Sequence, residues 1–222
     1  LRRRADRAAP RLLMLRFEEL AHEQTPMGEL TLRRRHEPAV GLDVFEVKLG
    51  DEYLMSSLFT VAEEALSDLG LAAVPAGRDA LDVVVGGLGL GYTAVASLLD
   101  ARVATMTVVD ALPAVISWHE RRLLPVSGPL VDDERTRLVH ADFFALMRAA
   151  PDAGGPLPGP LDAILLDVDH SPTFTLDPSH ADLYTVDGLR RLAAHLRPGG
   201  VFALWSDDPP EQSFLDALGA VF

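Results

Sequence analysis

The stretch Leu81-Asp82-Val83-Val84-Val85-Gly86-Gly87-Leu88-Gly89-Leu90-Gly91 decides the fold. An apolar, β-branched run reads as a strand buried on both faces. The glycines after it let the chain turn tightly and bring its backbone close to a ligand before Tyr92 opens a helix. The spacing is G-x-G-x-G rather than the G-x-G-x-x-G dinucleotide fingerprint, and no later glycine restores the longer form. Such a turn can also hold nothing. It gains weight from Asp110, which ends the next strand nineteen residues after Gly91, where a carboxylate can accept hydrogen bonds from ribose hydroxyls.

Downstream, strands expected at 105–109, 136–140, 163–166 and 201–205 alternate with helices expected at 92–99, 113–124, 186–196 and 210–218. That rhythm predicts an α/β fold of Rossmann type: a doubly wound, mainly parallel sheet with helices on both faces. Parallel sheets gather ligands at the carboxyl ends of their strands. Asp142, after the third strand, and Asp167, at the end of the fourth, therefore face the same crevice as Asp110. Each acid also reads as a loop cap or turn residue.

Upstream, residues 30–34 and 44–49 suggest a small β-hairpin region, with Phe45, Val47 and Leu49 on one face. An amphipathic helix follows over about 57–69, stopped by Gly70, and a linker with Pro75 and Gly77 leads to the strand at 81. The expected division is thus 1–70 (tail, strand pair and helix) and 71–222 (nucleoside-binding domain). The first dozen residues read as a loose or truncated tail. A sixth strand is expected to begin at Ala220-Val221-Phe222, so the fold's final strand is expected to be missing. The exposed edge of the hairpin region suggests a homodimer.

With 222 residues, 48% hydrophobic and 24% charged, the chain has the composition of one globular domain plus a small appendage. A net charge of −13 argues against nucleic acid and anionic membrane surfaces as partners. The charge is uneven: residues 1–40 hold nine Arg against six acids (+3), and residues 41–222 hold 11 Lys or Arg against 27 acids (−16). Such a body attracts a cationic substrate, although an acidic surface also serves solubility. The absence of cysteine excludes disulfides, thiolate metal sites and a Cys nucleophile, and fits a cytoplasmic protein. The uncharged run 83–99 is broken by Gly86, Gly87, Gly89 and Gly91, so it is no membrane helix, and the apolar 12–15 is too short for a signal peptide.

Together these residues resemble the class I fold that binds S-adenosylmethionine and, within it, the polyamine aminopropyltransferases, the spermidine synthase family. The likeness runs from about Thr25 to Trp205 and is strongest from Leu81 onward. Gly86-Gly87-Leu88-Gly89-Leu90-Gly91 is similar to that family's glycine turn. Val85 stands where methyltransferases usually carry an acid and aminopropyltransferases commonly an apolar residue. Leu183-Tyr184 and Leu196-Arg197-Pro198-Gly199-Gly200 are also similar. The resemblance implies that Gly86, Gly87, Gly89 and Gly91 seat the donor, that Asp110 binds its ribose, and that Asp142 and Phe143 lie near adenine. It implies that Asp167 takes a proton from the substrate amine with Asp169 beside it, and that Tyr184 and His170 touch the substrate. The implied co-substrate is decarboxylated S-adenosylmethionine or S-adenosylmethionine, and the implied acceptor is a small amine.

Three departures fall on donor and acceptor contacts. Gly89 stands where the family usually has an Asp holding the donor's amino group. Thr25-Pro26-Met27-Gly28 replaces Thr-Pro-Tyr-Gln. In Asp167-Val168-Asp169-His170-Ser171-Pro172 the second acid comes one position early and the proline one late. A methyltransferase, or a non-catalytic nucleoside-binding relative, therefore remains an alternative to aminopropyl transfer.

Aminopropyl transfer needs a neutral amine aligned with the carbon beside a sulfonium, so an ammonium of pKa near 10 must first lose its proton. An Asp at its reference pKa of about 3.9 is a weak base unless burial raises it. Asp169 is positioned to bind a second ammonium. His170 with Asp167, Asp169, Asp177, His180 and Asp182 forms a dense polar group. No H-x-x-x-H or H-E-x-x-H spacing occurs, so no metal is expected; a magnesium-dependent O-methyltransferase is the form a metal enzyme would take.

Overall fold

The computed structural model describes residues 17–222; the expected tail and the apolar 12–15 lie outside them. By contact the chain divides into two units, one ending at Ser56 and the other running from Ser57 to Phe222. In the first, the expected strand pair is the centre of a four-stranded antiparallel meander: β1 (Phe17–Thr25), β2 (Gly28–Glu37), β3 (Leu42–Leu49) and β4 (Glu52–Ser56), in sequential order. Leu32 lies opposite Val47 and Arg34 opposite Phe45. The two-residue period puts Phe45, Val47 and Leu49 on one face with Leu30 and Leu32. On the other face, buried Glu46 accepts hydrogen bonds from Arg33 Nε at 2.7 Å and Arg35 Nε at 2.6 Å, and the Arg33 guanidinium lies over the Tyr53 ring at 4.6 Å. Glu18, Glu19, His22 and Glu23 give β1 no apolar alternation, so the sequence does not announce it.

The second unit is a five-stranded parallel sheet in the order β7-β6-β5-β8-β9. Its strands are β5 (Leu81–Gly86), β6 (Val103–Asp110), β7 (Thr136–His140), β8 (Leu161–Leu166) and β9 (Leu196–Leu204). Val83, Val84 and Val85 are all fully buried in the central strand, which accounts for its unbroken apolar run. The strand order reverses at β5, and the crevice at its carboxyl end is the place where such sheets receive ligands. Helix α1 (Val61–Ala72) packs on α2 (Tyr92–Leu98) and lies against β8 and β9. The helix expected over 57–69 is this α1, and by contact it belongs to the second unit. Helices α3 (Pro113–Glu120) and α4 (Ser127–Val131) meet each other and β7. Helices α5 (Phe143–Arg148), α6 (Val186–Ala193) and α7 (Gln212–Gly219) pack in series, around a core in which Phe144, Met147, Leu189 and Leu192 meet Val84, Val109, Ile164 and Leu166.

Besides the outer strands β1 and β4, three elements of the second unit were not expected from sequence: α4, α5 and a 3-10 helix over Pro178–Tyr184. None exceeds seven residues, which is too short for a helical period to declare itself. Strand β9 begins at Leu196 rather than at 201, running through Pro198-Gly199-Gly200, which reads as a turn. It lies at the sheet edge, where a proline costs no central ladder bond.

Candidate functional site

The glycine turn is pinned from three sides. Asp167 N donates to Gly86 O at 2.7 Å, and Gly87 N donates to Val109 O at 2.9 Å. Gly87 has φ +93°, and a Cβ there would lie 2.0 Å from the Asp167 carbonyl oxygen, so no other residue fits between β5 and the end of β8. Gly89 has φ +45°. Asp110, at the end of β6, accepts Leu88 N on Oδ2 at 2.9 Å and Leu112 N on Oδ1 at 2.8 Å. Burial pushes its carboxyl above the ordinary range, and the backbone donors of Leu112, Leu88 and Gly89 offset part of that. Asp110 thus buckles the turn to the start of α3, and with three backbone donors on its carboxylate one acceptor position is left to receive a hydroxyl.

Asp167 stands directly after β8, beside the same turn. Its Oδ2 accepts the Thr93 hydroxyl of α2 at 2.6 Å. Burial raises its pKa to about 6; the Thr93 hydrogen bond opposes that rise, and the nearby charge of Glu63 on α1 adds to it. Glu63 is itself raised, mainly by burial and further by Glu64 and Asp207. Acids from α1, β8 and the segment after β9 therefore influence one another. A carboxyl near 6 is a far better proton acceptor at neutral pH than an ordinary Asp.

The other expected residues are held by partners of their own. Asp142 caps α5, accepting Ala145 N at 3.0 Å. Phe143 is 3% exposed, and its ring occupies the space beside Gly86 where a Cβ would come within 2.8 Å. Gly86 thus serves packing against Phe143, and Phe143 is core. Asp169, expected beside the acceptor, is turned inward: its side chain is fully buried and accepts Leu176 N at 2.8 Å, His180 Nδ1 at 2.8 Å and Tyr184 Oη at 2.7 Å. Tyr184 is spent on this bond, and the His180 ring stacks on Phe144 with centroids 3.6 Å apart. Burial and the Asp169 charge push the Tyr184 hydroxyl far above its usual pKa. His170 stacks on Phe174, its Nδ1 is 3.8 Å from Asp207, and it lies apart from the Asp169 node. The structure therefore joins Gly86, Gly87, Gly89, Gly91, Asp110 and Asp167, and makes Asp169 and Tyr184 the anchor of the 170–184 segment.

Sequence reasoning missed Thr93, Glu63 and His119. His119 was readable, since it stands four residues after Val115 and three after Ile116, on the face of α3 that is buried. Thr93 and Glu63 carried no such signal. Among the described residues no group of His, Asp or Glu could hold a metal ion, and no helix is long and apolar enough to cross a membrane.

The sheet order, the glycine turn and the acids closing β6 and β8 define a class I methyltransferase-like fold, with an antiparallel sheet preceding it. Within that class the fold is spermidine synthase-like. A spermidine synthase from Thermotoga maritima matches at TM-score 0.69 with 19% identity, over 92% of this chain and 64% of that one. A spermidine synthase in complex with the transition-state analogue AdoDATO matches at TM-score 0.70 with 18% identity, over 92% of this chain and 65% of that one. The chain thus spans just under two thirds of the length of these structures. No protein-family profile matches the sequence, and no curated protein matches it.

Proposed function

We propose that this protein is a transferase of the aminopropyltransferase type, moving an aminopropyl group from decarboxylated S-adenosylmethionine to a small amine. The observation that carries this reading is Asp167, a carboxyl of pKa about 6 placed across Gly87 from the turn that would seat the donor. The residues fit the nucleoside: Asp110 retains acceptor capacity for a ribose hydroxyl, and the turn presents backbone rather than bulk. Asp167 orients the substrate ammonium and takes its proton. The freed nitrogen lone pair then attacks the carbon bound to sulfur, and the C–S bond breaks with its electron pair going to sulfur, releasing methylthioadenosine. A spermidine synthase fold and an acidic body that attracts amines support this assignment.

Gly89 favours a second reading, methyl transfer from ordinary S-adenosylmethionine. No side chain at that position selects a bare ammonium over an ammonium beside a carboxylate, and Asp169 cannot substitute because it is sequestered. Calorimetric titration with both donors, followed by mass analysis after adding putrescine or longer polyamines, tests both. We expect the donors to bind within about tenfold of each other, which is about 1.4 kcal/mol. A product heavier by an aminopropyl group supports the first reading and one heavier by a methyl group supports the second. Binding without turnover of any amine leaves a nucleoside-binding relative, and failure to bind either donor or methylthioadenosine overturns the site.

A further inference from the structure

The glycine turn's peptide groups face in two directions. Its N–H groups at Leu88 and Gly89 go to Asp110, while the Gly89 carbonyl goes the other way, to a residue outside the acids. His119 Nε2 lies 3.0 Å from Gly89 O, and His119 Nδ1 lies 3.3 Å from the Ser127 hydroxyl. A carbonyl only accepts, so Nε2 carries the hydrogen. In the neutral ring Nδ1 is then the acceptor and Ser127 the donor, which satisfies every polar atom of a histidine with no exposure, against a serine with none either. Burial holds His119 below the ordinary histidine range and keeps it in this neutral form. The ring also packs under the start of α2: a Cβ on Gly91 would come within 2.7 Å of His119 Cε1.

We infer that His119 is a positioning residue that, backed by Ser127, locks the glycine turn in its ligand-receiving conformation by holding the Gly89 carbonyl. Leu88 and Leu90 bury their side chains, but the glycines between and after them, Gly89 at φ +45° and Gly91 at φ +90°, have no side chain to fix their backbone. Asp110 alone holds one face of a segment whose glycines can adopt many conformations. A second hold on the opposite face removes that freedom, and the flat imidazole fits against Gly91 where a bulkier side chain would push α2 away.

The inference concerns the turn itself; only its binding arm rests on the proposed nucleoside site. Three variants test it: His119→Leu removes the donor while keeping apolar volume, His119→Gln retains a side-chain N–H for the carbonyl, and Ser127→Ala removes the backing hydroxyl. Circular dichroism and melting establish that each is folded. Amide hydrogen exchange over residues 86–92, measured without ligand, should be at least tenfold faster in His119→Leu, within about threefold of wild type in His119→Gln, and intermediate in Ser127→Ala. Affinity for methylthioadenosine should follow the same order, with at least a tenfold loss in His119→Leu, and turnover at saturating donor should be unchanged. Wild-type exchange in His119→Leu, or equal acceleration in the Leu and Gln variants, overturns the proposal, the second by showing that packing alone matters. If His119→Leu does not fold, exchange within about threefold of wild type in His119→Gln together with faster exchange in Ser127→Ala supports the proposal, and wild-type exchange in Ser127→Ala or at least tenfold acceleration in His119→Gln overturns it. If wild-type protein binds no nucleoside but the exchange order holds, the lock stands and the binding site falls.

Discussion

At Asp167 one carboxyl carries a cost in stability and, under the proposed function, a chemical use. Its folded pKa of about 6 lies above the ordinary value of 3.8, so between those values the folded chain holds more protons than the unfolded one. Stability therefore falls as pH rises through that window, and above about 6 the ionised group costs at most about 3 kcal/mol. Asp167→Asn keeps the shape and an acceptor for the Thr93 hydroxyl while removing the charge. Its melting temperature should exceed that of wild type at pH 8 and converge with it near pH 4. Turnover should fall by roughly 10²–10⁴-fold with nucleoside affinity little changed, and the wild-type rate should show an acid limb near pH 6. A variant with full turnover would remove Asp167 from the chemistry, and one less stable than wild type at pH 8 would remove the burial argument. Two residues further on, Asp169 shows how position outweighs type. Both acids follow the same strand, but Asp167 has one hydroxyl partner and partial exposure, whereas Asp169 has three donors and a fully buried side chain.

The 170–184 segment, including its 3-10 helix, is held by that one carboxylate, since Leu176 N, His180 and Tyr184 all converge on it. Removing a buried acceptor of three hydrogen bonds strands each donor, at about 1–3 kcal/mol apiece. Asp169→Ala should accordingly destabilise the protein by about 3 kcal/mol or more and speed amide exchange at Leu176 and neighbouring residues well before the sheet opens. Asp169→Asn, retaining one oxygen, should fall between the two. If Asp169→Ala instead leaves stability intact and abolishes amine binding, Asp169 belongs to the acceptor site after all. The sequence could not reveal this node. Its carboxylate lies 15 residues from Tyr184 and 11 from His180, with no period linking them. The same holds for the ion network of Arg78, Asp82, Asp162 and Arg197, in which the fully buried Asp162 carboxylate receives Arg78 at 3.0 Å and Arg197 at 2.6 Å from chain positions 84 and 35 residues away. The parallel sheet was legible, because burial on both faces forces unbroken runs such as Val83-Val84-Val85. Gly87 and Asp110 were legible because a turn between strand and helix restricts residue type. The charged outer strands, the short helices and the buried polar nodes were not, because their reasons lie in tertiary neighbours.

Over the whole molecule, the net negative charge would set how the proposed amine substrate arrives. Residues 41–222 carry −16, the acids around Asp167 include Glu63 and Asp207, and a polyamine is a polycation. The summed field raises the encounter rate of such a ligand, and salt shortens its reach from about 10 Å at 0.1 M to about 3 Å at 1 M. Nothing of the kind acts on methylthioadenosine, which is uncharged and which, under the proposed function, hydrogen bonds and the glycine turn would hold. Raising ionic strength from about 0.05 to about 0.5 M should therefore lower kcat/KM for the amine on the order of 3- to 10-fold, with kcat at saturation nearly constant. The dissociation constant of methylthioadenosine should change less than twofold over the same range. A shared salt response would mean that the protein itself is changing with ionic strength. A flat response for the amine would show that the acidic body serves solubility, leaving recognition to Asp167 and its immediate neighbours.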